Sequence, residues 1–572
     1  MPEPDGPTRD PFRLERRVVN GVDIRVFAGA SDSLRDVLVA SAAFGDRDFL
    51  VFEQERLTYR QHFDLVAGLA VRMRDVYGVG PGTRVAIAMR NYPEWIVAFW
   101  ATQALGAVSV PLNAWWTAPE LAYGLQDSGA TVAFLDGERY ERIAELLPNL
   151  QLRATVVTRY DGDLAPGVER WSSVRDALPL GVALPEAAIA PEDPATILYT
   201  SGTTGRPKGA VGSQRNHLTN WMVMAMFGSL GRVDGPAPST LIVFPLFSIS
   251  GLMLMYVYAG MGGKVVLQYR WDVDDALAIL EREQVTAFSA VPTILRALLS
   301  SPKLAEHDLS SIVSMAAGAA PVPPELLARM GTLRKGIGVT HGYGITEATG
   351  GVAVNAGPGV VDHPTSVGRP LPMVDLRIVD PDTGADVPNG GVGEIVFKGP
   401  NVIAGYWNDP AATAAAFLDG WFRSGDIGYV DDDGMLFVVD RLKDVIIRGG
   451  QNIYCAEVEA AIQGHPGIAE VAVVGLAHPT LGEEVVAVVV VEQGTVSDEA
   501  LRAYLSSRLA TYKVPAVIVH RDDPLPRTAT GKVLKRQLRD ELQRSPLEQF
   551  SENGQRAFQD GIVNQAKPFD QA

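Results

Sequence analysis

Short apolar runs alternate with amphipathic stretches along the first two-thirds of the chain. An apolar run at 84–89 is followed by a helical pattern at 92–105 and then by a second apolar run at 107–111. The same alternation returns later, in apolar runs at 264–267, 287–290 and 312–314. Strand-like runs separated by helical patterns are typical of βαβ units, whose strands form a largely parallel sheet. We therefore predict an α/β fold.

The pattern changes twice in the last third of the chain. Residues 367–397 show strands and turns without helices, which predicts a small β subdomain. Beyond Asp426, an acidic run before Gly434 indicates a turn between strands, and a region with its own apolar runs begins at Arg441. We predict a large N-terminal domain of βαβ sheets that includes this β subdomain, followed by a small α+β C-terminal domain. The predicted limits are an N-terminal extension at 1–34, the large domain at 35–440, the small domain at 441–545 and a poorly ordered tail at 546–572.

One uncharged segment, 241–263, is long enough to span a bilayer. Pro245, Gly251 and Gly260 interrupt it, so a strand, a turn and a buried helix are the better prediction. The first 17 residues contain no apolar stretch suited to a signal peptide. We expect no transmembrane segment and a cytoplasmic location.

Composition narrows the classes of partner. The chain has 572 residues, too many for one hydrophobic core, and its 47% hydrophobic content is ordinary for a folded protein. Lys and Arg number 50 against 67 Asp and Glu, a net charge of −17, which argues against a nucleic-acid partner. Local lysines and backbone N–H groups can still bind phosphate in such a protein. Cys455 is the only cysteine, which excludes an internal disulfide and a multi-cysteine metal site.

The segment from Thr200 to Lys208 has the composition of a phosphate-binding loop. Its glycines allow backbone N–H groups to turn toward a ligand, four residues supply hydroxyl groups, and Lys208 supplies a positive charge. The spacing is not that of a Walker A loop. A Ser/Gly linker is the alternative, and the composition alone leaves both open. The candidate ligands are Thr200, Ser201, Gly202, Thr203, Thr204, Gly205 and Lys208.

Five further segments match motifs of one family in the right order. They are 341–347 (HGYGITE), 424–426 (SGD), 441–444 (RLKD), 449–453 (GGQNI) and 526–532 (PRTATGK). Together with the loop at 199–209, they resemble the adenylate-forming superfamily, the AMP-binding enzymes that include acyl-CoA synthetases. The resemblance covers residues 35 to 540, nearly the whole chain.

The resemblance implies a site for ATP and Mg²⁺. Tyr343 would stack on adenine, Thr346 would bind a phosphate oxygen, and Glu347 would hold Mg²⁺, a hard cation that prefers oxygen ligands. Asp426 and Arg441 would bind the ribose hydroxyls. The other implied nucleotide-binding residues are His341, Gly342, Gly344 and the adenine wall Gly318, Ala319, Ala320 and Pro321.

The same resemblance implies two chemical steps and a mobile C-terminal domain. Lys532 would bridge the carboxylate and the α-phosphate while acyl-AMP forms. The small domain would then rotate about Lys443, and Gly449 and Gly450 would line the passage for coenzyme A. The implied activity is that of an AMP-forming carboxylic acid:CoA ligase, an acid–thiol ligase, with a small-molecule acid, ATP, Mg²⁺ and coenzyme A as its ligands.

The acid is less well specified. Phe247, Ser248, Ser250 and Ala316 are the candidate substrate-binding residues, and their surroundings suit a hydrophobic acid that is fatty, aryl or alicyclic. Ser248 stands where many acyl-CoA synthetases have histidine, which leaves the shape of the pocket mouth open. The pair Trp115–Trp116 is either an entrance feature or packed core, and core is the prediction.

Two alternatives remain open at the level of the sequence. One is an acyl-adenylate former that delivers to an acceptor other than coenzyme A; the other is a catalytically weak protein that binds nucleotide or acyl groups. The presence of Glu347, Asp426, Arg441 and Lys532 argues against the second. A homodimer and peripheral contact with a membrane also stay open.

Overall fold

A computed structural model describes residues 10–200, 206–230, 237–492, 496–528 and 531–544. The strands are β1 Leu14–Val19, β2 Val22–Phe27, β3 Asp48–Phe52, β4 Glu55–Thr58, β5 Arg84–Ala88, β6 Val108–Pro111, β7 Val132–Asp136, β8 Ala154–Thr158, β9 Val168–Arg170, β10 Pro194–Thr200, β11 Lys208–Ser213, β12 Ser239–Ile242, β13 Lys264–Leu267, β14 Ala287–Ala290, β15 Ser314–Ala317, β16 Gly338–Ile345, β17 Gly350–Ala356, β18 Arg369–Pro370, β19 Asp375–Val379, β20 Gly393–Lys398, β21 Phe417–Leu418, β22 Trp421–Val430, β23 Leu436–Arg441, β24 Ile446–Arg448, β25 Gln451–Ile453, β26 Ile468–His478, β27 Gly482–Val491 and β28 Val517–Arg521.

Helices separate most of the strands. The α-helices are α1 Leu34–Ser41, α2 Tyr59–Asp75, α3 Pro93–Ala104, α4 Ala118–Ser128, α5 Gly137–Ile143, α6 Trp171–Asp176, α7 Gln214–Leu230, α8 Ile249–Gly260, α9 Val273–Arg282, α10 Pro292–Ser300, α11 Pro324–Thr332, α12 Pro358–Asp362, α13 Pro410–Ala416, α14 Cys455–Gln463, α15 Asp498–Ser506 and α16 Lys535–Arg544. Short 3₁₀ helices lie at Ala42–Phe44, Leu147–Asn149, Pro302–Glu306, Thr346–Ala348, Leu442–Asp444 and Thr511–Lys513.

The chain divides into two compact units. The first consists of Met1–Arg377 and Val396–Arg423, and the second of Ile378–Ile395 and Ser424–Ala572. This geometric division differs from the limit at 440 predicted from the sequence, which stays a prediction. Strands β19, β20, β22, β21 and β23 form one five-stranded sheet.

The first unit contains two large sheets. The seven-stranded sheet has the order β11-β10-β6-β5-β7-β8-β9, and all its pairings are parallel except that of β10 with β11. The nine-stranded sheet has the order β18-β17-β16-β15-β14-β12-β13-β3-β4 and is parallel from β16 to β3. This mostly parallel arrangement confirms the predicted α/β fold.

One apolar core joins the two large sheets through helices α2, α3 and α8. Val85 and Phe134 of the seven-stranded sheet belong to the same buried cluster as Leu50 and Val265 of the nine-stranded sheet. Helix α3 is buried on nearly all sides, which explains why its sequence is apolar around its whole circumference. The two large sheets therefore share one buried core.

Most of the predicted elements are observed, with one shift. The segment 241–263 contains the end of β12, a turn and the buried helix α8, and no helix among the described residues is long and apolar enough to cross a membrane. The strand predicted at 312–314 is wrong by two residues, because β15 begins at Ser314. Ile312 is apolar because it packs in the core before the strand starts, while Val313 is half exposed.

The second unit has its own sheet and core. The order is β25-β24-β27-β26, with β28 pairing in parallel with β27. The long hairpin β26–β27 forms the centre, and α14, α15 and α16 supply the apolar residues that cover it. The predicted small α+β C-terminal domain is confirmed in architecture.

Two buried histidines predict that acid destabilises the fold. Burial lowers the pKa of both His62 and His217 from 6.5 to about 3. Because the unfolded chain takes up these protons first, the stability that the neutral rings confer is complete above pH 6.5 and falls as the pH approaches 3. Between pH 6.5 and 5, the free energy of unfolding should fall by up to about 1.4 kcal/mol per pH unit for each ring. Chemical denaturation at several pH values measures this slope; a His62→Gln variant should show a shallower one, and a flat profile in the wild type would contradict the assignment.

Candidate functional site

Three of the predicted segments meet at one edge of the nine-stranded sheet. Strands β12, β14, β15 and β16 are parallel neighbours, so their carboxyl ends lie at the same edge. Phe247 and Ser248 follow β12, the segment 318–321 follows β15, and Thr346 follows β16 directly. Ligands of open α/β sheets bind outside the carboxyl ends of their strands. The structure therefore groups these residues where a ligand is expected.

The turn that carries Thr346 and Glu347 is tightly built. The two residues begin a 3₁₀ helix, and both are half-buried. Gly344 is required just before it, because a Cβ atom there would lie 2.2 Å from the carbonyl oxygen of Gly350. Thr349 closes the turn in the left-handed region with φ of 50°, an uncommon conformation for a β-branched residue.

Glu347 has a partner that the sequence did not suggest. The Tyr406 hydroxyl donates a hydrogen bond of 3.0 Å to Glu347 Oε1. The Lys208 ammonium lies 5.5 Å from the centre of the Tyr406 ring. Burial and the nearby Glu347 charge raise the pKa of Tyr406, so its hydroxyl keeps its proton and acts as the donor. An acid, a phenol and a cation from three separate segments thus form one cluster.

The phosphate-binding segment lies between two paired strands. Strand β10 ends at Thr200 and β11 begins at Lys208, and these two residues are paired across the ladder. The segment therefore begins at the end of one strand and ends at the start of the next. Its remaining candidate ligands lie outside the described residues: Ser201, Gly202, Thr203, Thr204 and Gly205.

The predicted adenine wall includes an unusual backbone conformation. Ala319 has φ of 65°, in the left-handed region that alanine rarely occupies, and a Cβ at Gly318 would have no atom within 4 Å. Space is therefore open beside Gly318, while Ala319 packs against the core. His341, in the neighbouring strand, is buried, and this burial lowers its pKa to about 4.

Ser248 has a local structural role. It is the N-cap of α8: its Oγ accepts a hydrogen bond from Gly251 N at 3.4 Å and donates one to Pro245 O at 2.7 Å. Serine is among the residues preferred at this position. The next candidate, Ser250, is half-buried in the first turn of the helix, and Ala316 is half-buried in β15.

The prediction that the tryptophan pair is core holds for only one of the two residues. Trp116 is buried, but Trp115 is 47% exposed. Its ring lies edge-on to Phe247, with centroids 5.3 Å apart, and the Arg90 guanidinium lies 4.1 Å above it. The Arg90 guanidinium covers one face of the ring by a cation–π interaction. On that side Trp115 therefore packs against a charged group and not against the apolar core.

In the second unit, Asp426 and Arg441 are direct partners. They are opposite each other in the antiparallel pair β22–β23, and Arg441 Nε lies 3.4 Å from Asp426 Oδ1. Asp426 is buried, whereas the arginine side chain is 46% exposed. The structure thus brings together the two residues predicted to bind ribose, one as an acceptor and one as a donor.

The glycine pair forms a two-residue turn between β24 and β25. Gly449 has φ of 58° and Gly450 has φ of 80°. Two successive positive values define the hairpin turn whose twist matches the strands, and this conformation favours glycine at both positions. Lys443 lies in the short helix Leu442–Asp444. Cys455 is buried, and its thiol donates to Asp444 O at 2.9 Å, as expected of a packing residue.

Lys532 is presented on a small hairpin. Thr528 N donates to Lys532 O at 2.7 Å, and Lys532 N donates to Thr528 Oγ1 at 3.1 Å. Arg527 braces the same turn: it donates to Gly531 O at 2.9 Å and forms an ion pair with Glu470 at 2.9 Å. The lysine side chain itself is exposed.

Sequence reasoning missed the residues that position this chemistry. Tyr406 was absent from the prediction, as were Asn216 and Asn220, which lie one turn apart on α7. Two signals in the sequence were available. One is the aromatic residue in the Gly-Tyr-Trp stretch at 405–407, and the other is the i,i+4 spacing of the two asparagines on a largely apolar helix.

Comparison with known proteins identifies the class. The AMP-binding enzyme model matches residues 38–407, and the model of the AMP-binding enzyme C-terminal domain matches 457–532. The first match alone covers more than half of the chain. The protein belongs to the AMP-binding enzyme family, and the predicted family is confirmed.

Relatives and solved structures extend this likeness over most of the chain. A feruloyl-CoA synthase of Amycolatopsis sp is 39% identical over 485 residues, covering 84% of this chain and 93% of the relative. The o-succinylbenzoate CoA synthetase of Bacillus subtilis, solved with its acyl-adenylate intermediate, has a TM-score of 0.77 at 32% identity and covers 89% of this chain and 98% of that one. The amide bond synthetase McbA of Marinactinospora thermotolerans has a TM-score of 0.79 at 30% identity, covering 89% and 99%.

Proposed function

We propose that this protein is an AMP-forming carboxylic acid:CoA ligase. The observation that carries the proposal is the cluster of Glu347, Tyr406 and Lys208 in a chain that belongs to the AMP-binding enzymes. A carboxylate for a metal ion and an ammonium for phosphate, at the end of a phosphate-type loop, suit the binding of a nucleoside triphosphate. The feruloyl-CoA synthase and succinylbenzoate CoA synthetase among its relatives support the reaction class.

The donor set fits Mg²⁺. Glu347 offers a carboxylate with roughly four lone-pair positions. The hydrogen bond from the Tyr406 hydroxyl occupies only one of these positions, so the others can bind a metal ion. Mg²⁺ commonly takes one or two protein carboxylates and completes its shell with phosphate oxygens and water. The metal would supply charge neutralisation of the triphosphate, while Thr346, Lys208 and the segment 200–205 would hold its oxygens.

In the first step, a carboxylate oxygen of the acid attacks the α-phosphorus of ATP. The bond to the bridging oxygen of pyrophosphate breaks, and pyrophosphate leaves with the electron pair. We assign to Lys532 the bridging of the two anions, since a cation placed between them stabilises the charge that develops. Asp426 and Arg441 would hold the ribose.

In the second step, the coenzyme A thiolate attacks the carbonyl carbon of acyl-AMP. The mixed anhydride bond breaks, and AMP leaves with the carboxylate-derived oxygen on its phosphate. We propose that the small domain rotates about Lys443 between the two steps. This rotation would remove Lys532 from the carbonyl and bring the turn Gly449–Gly450 beside the pantetheine arm of coenzyme A. The absence of side chains at these two glycines supports a passage for an extended thiol.

The proposed acid is hydrophobic, with aryl acids as the first choice. Two of the reported relatives are named for aryl substrates, and the exposed Trp115 ring packs against the half-buried Phe247, one of the candidate acyl residues. Fatty and alicyclic acids remain in the proposed class. A second candidate acceptor, an amine, is favoured by the likeness to an amide bond synthetase.

A panel of acids tests the proposal. Purified protein with Mg·ATP receives aryl, alicyclic, medium-chain and long-chain acids, each with coenzyme A, with an amine or with neither, and mass spectrometry follows the products. Acyl-CoA and AMP from a hydrophobic acid are expected. Amide formation without thioester would transfer the proposal to the second acceptor, and the absence of AMP with every acid would contradict both.

A further inference from the structure

We propose that Tyr406 is a positioning residue of the Mg·ATP site, which sets the Glu347 carboxylate for the metal and keeps Lys208 directed at the phosphates. The proposal rests on the proposed function, because it takes Glu347 as the metal ligand and Lys208 as a phosphate ligand. It assigns a role to a residue that neither the sequence motifs nor the predicted site contains.

The first argument is the contact of one side chain with both charged groups. The Tyr406 hydroxyl donates to Glu347 Oε1 at 3.0 Å, and its ring face lies 5.5 Å from Lys208 Nζ. A donated hydrogen bond fixes the rotation of a carboxylate and directs the remaining lone pairs to one side. The negative ring face attracts the ammonium without neutralising it, so the lysine keeps its charge for phosphate.

The second argument is that the backbone around Tyr406 is fixed to the strand that carries Lys208. Trp407 N donates to Gly209 O at 2.7 Å, and Val211 N donates to Gly405 O at 3.1 Å, so the loop continues the sheet beside β11. Tyr406 N donates to Thr413 Oγ1 at 2.9 Å. The position of the phenol relative to Lys208 is therefore set by main-chain bonds.

The third argument is that the same loop is fixed to the turn that carries Glu347. Ile403 N donates to Glu347 O at 2.9 Å. Thr349 Oγ1 donates to Asn401 O at 2.9 Å, and both of these residues are buried. The loop is thus hydrogen-bonded directly to the turn that carries Glu347.

Two buried asparagines of α7 complete the frame. Asn216 Nδ2 donates to Pro400 O at 2.8 Å and to Val402 O at 3.0 Å, and Asn220 Nδ2 donates to Thr349 O at 2.9 Å. Buried side-chain amides that satisfy backbone carbonyls hold irregular segments in one conformation. This much fixed structure around a single phenol points to a requirement for its exact placement.

The test measures ATP binding rather than turnover. Equilibrium dialysis gives the dissociation constant of radiolabelled ATP with excess Mg²⁺ and with EDTA, without acid or coenzyme A; the ratio of the two constants is the metal-dependent gain. Tyr406→Phe removes the hydroxyl and keeps the ring, so the gain should fall about tenfold while metal-free binding is unchanged. Tyr406→Leu also removes the ring, and metal-free binding should weaken by a further factor of about 2–5.

Trp407→Phe is the matched control in the same loop. It removes the hydrogen bond from Trp407 Nε1 to Asp127 O, so any general loosening of the loop should affect ATP binding equally with and without metal. An unchanged gain in Tyr406→Phe, or an equal loss with and without metal, would overturn the inference. If the wild type itself shows no metal-dependent gain, the role proposed for Glu347 fails, and the inference fails with it.

Discussion

Replacing Lys532 with alanine is expected to lower the rate of acyl-adenylate formation about 10²- to 10³-fold, the usual effect of removing one group that stabilises developing charge. The lysine is exposed on a hairpin that is braced by Arg527 and Glu470, so its loss should not disturb the fold. Acid-dependent exchange of labelled pyrophosphate into ATP measures this step. Thioester formation from synthetic acyl-AMP and coenzyme A should keep most of its rate, because the lysine is assigned only to the first step.

Lys303→Ala is a suitable control for this variant. Lys303 forms an exposed ion pair with Asp274, and both side chains are 50% exposed. Such pairs contribute little to stability, so the exchange rate should match the wild type. Normal exchange in Lys532→Ala would contradict the assignment, and an equal loss of both steps would indicate a structural role instead.

The largest effect on stability is expected at Lys535. Its ammonium lies 2.7 Å from Glu459 Oε1, and the two side chains are only 17% and 23% exposed. Burial lowers the pKa of Lys535, but the charges of Glu459 and its neighbours outweigh burial, so the net pKa is raised above 10.5. The contribution of Lys535 is therefore present below pH 10.5 as long as Glu459 is ionised, and it is lost as the pH rises further. Burial raises the pKa of the Glu459 carboxyl above its ordinary value, so protonation of this carboxyl in acid also removes the pair. Lys535→Met leaves a largely buried carboxylate without its cation and should cost about 3 kcal/mol of unfolding free energy.

A second substitution separates the charge from the packing. Glu459 also accepts a hydrogen bond from Val473 N at 2.7 Å, and glutamine can keep that bond without the charge. The double variant Lys535→Met/Glu459→Gln should therefore recover most of the lost stability in urea denaturation. If the double variant is no more stable than Lys535→Met alone, the loss comes from packing and the ion-pair account is wrong.

Local patterns in the sequence predicted most of the fold. Alternating apolar runs and amphipathic helices gave β5, α3, β6, β13 and β14 within one or two residues, because their periodicity follows directly from burial. The strand at 312–314 was misplaced, since an apolar residue can be buried just before a strand as well as within it. The prediction that Trp115 belongs to the core was wrong, because its ring packs against the side chain of Arg90, from a distant segment, and stays partly exposed.

The residues of the candidate site could be predicted where they lie within a sequence motif. Contacts between residues that are far apart along the chain could not be predicted. Thr346, Glu347, Asp426, Arg441 and Lys532 were chosen by motif. Their ligand roles stay predictions, although the structure shows that two of them, Asp426 and Arg441, are paired. Tyr406 lies 59 residues from Glu347 along the chain, so a local sequence pattern could not predict the hydrogen bond between them. Ser248 shows the converse: its position drew attention as a departure from a family pattern, and the structure adds a helix-capping role.

An isotope experiment tests the central claim, activation of an acid as its adenylate, most directly. The best acid of the panel, labelled with ¹⁸O in both carboxylate oxygens, is incubated with Mg·ATP, coenzyme A and the protein. Mass spectrometry then measures the ¹⁸O content of each product. Attack of the carboxylate on the α-phosphorus places one ¹⁸O in the phosphate of AMP and leaves one in the thioester, and this is the predicted result. ADP together with ¹⁸O in inorganic phosphate, or AMP without label, would contradict the account.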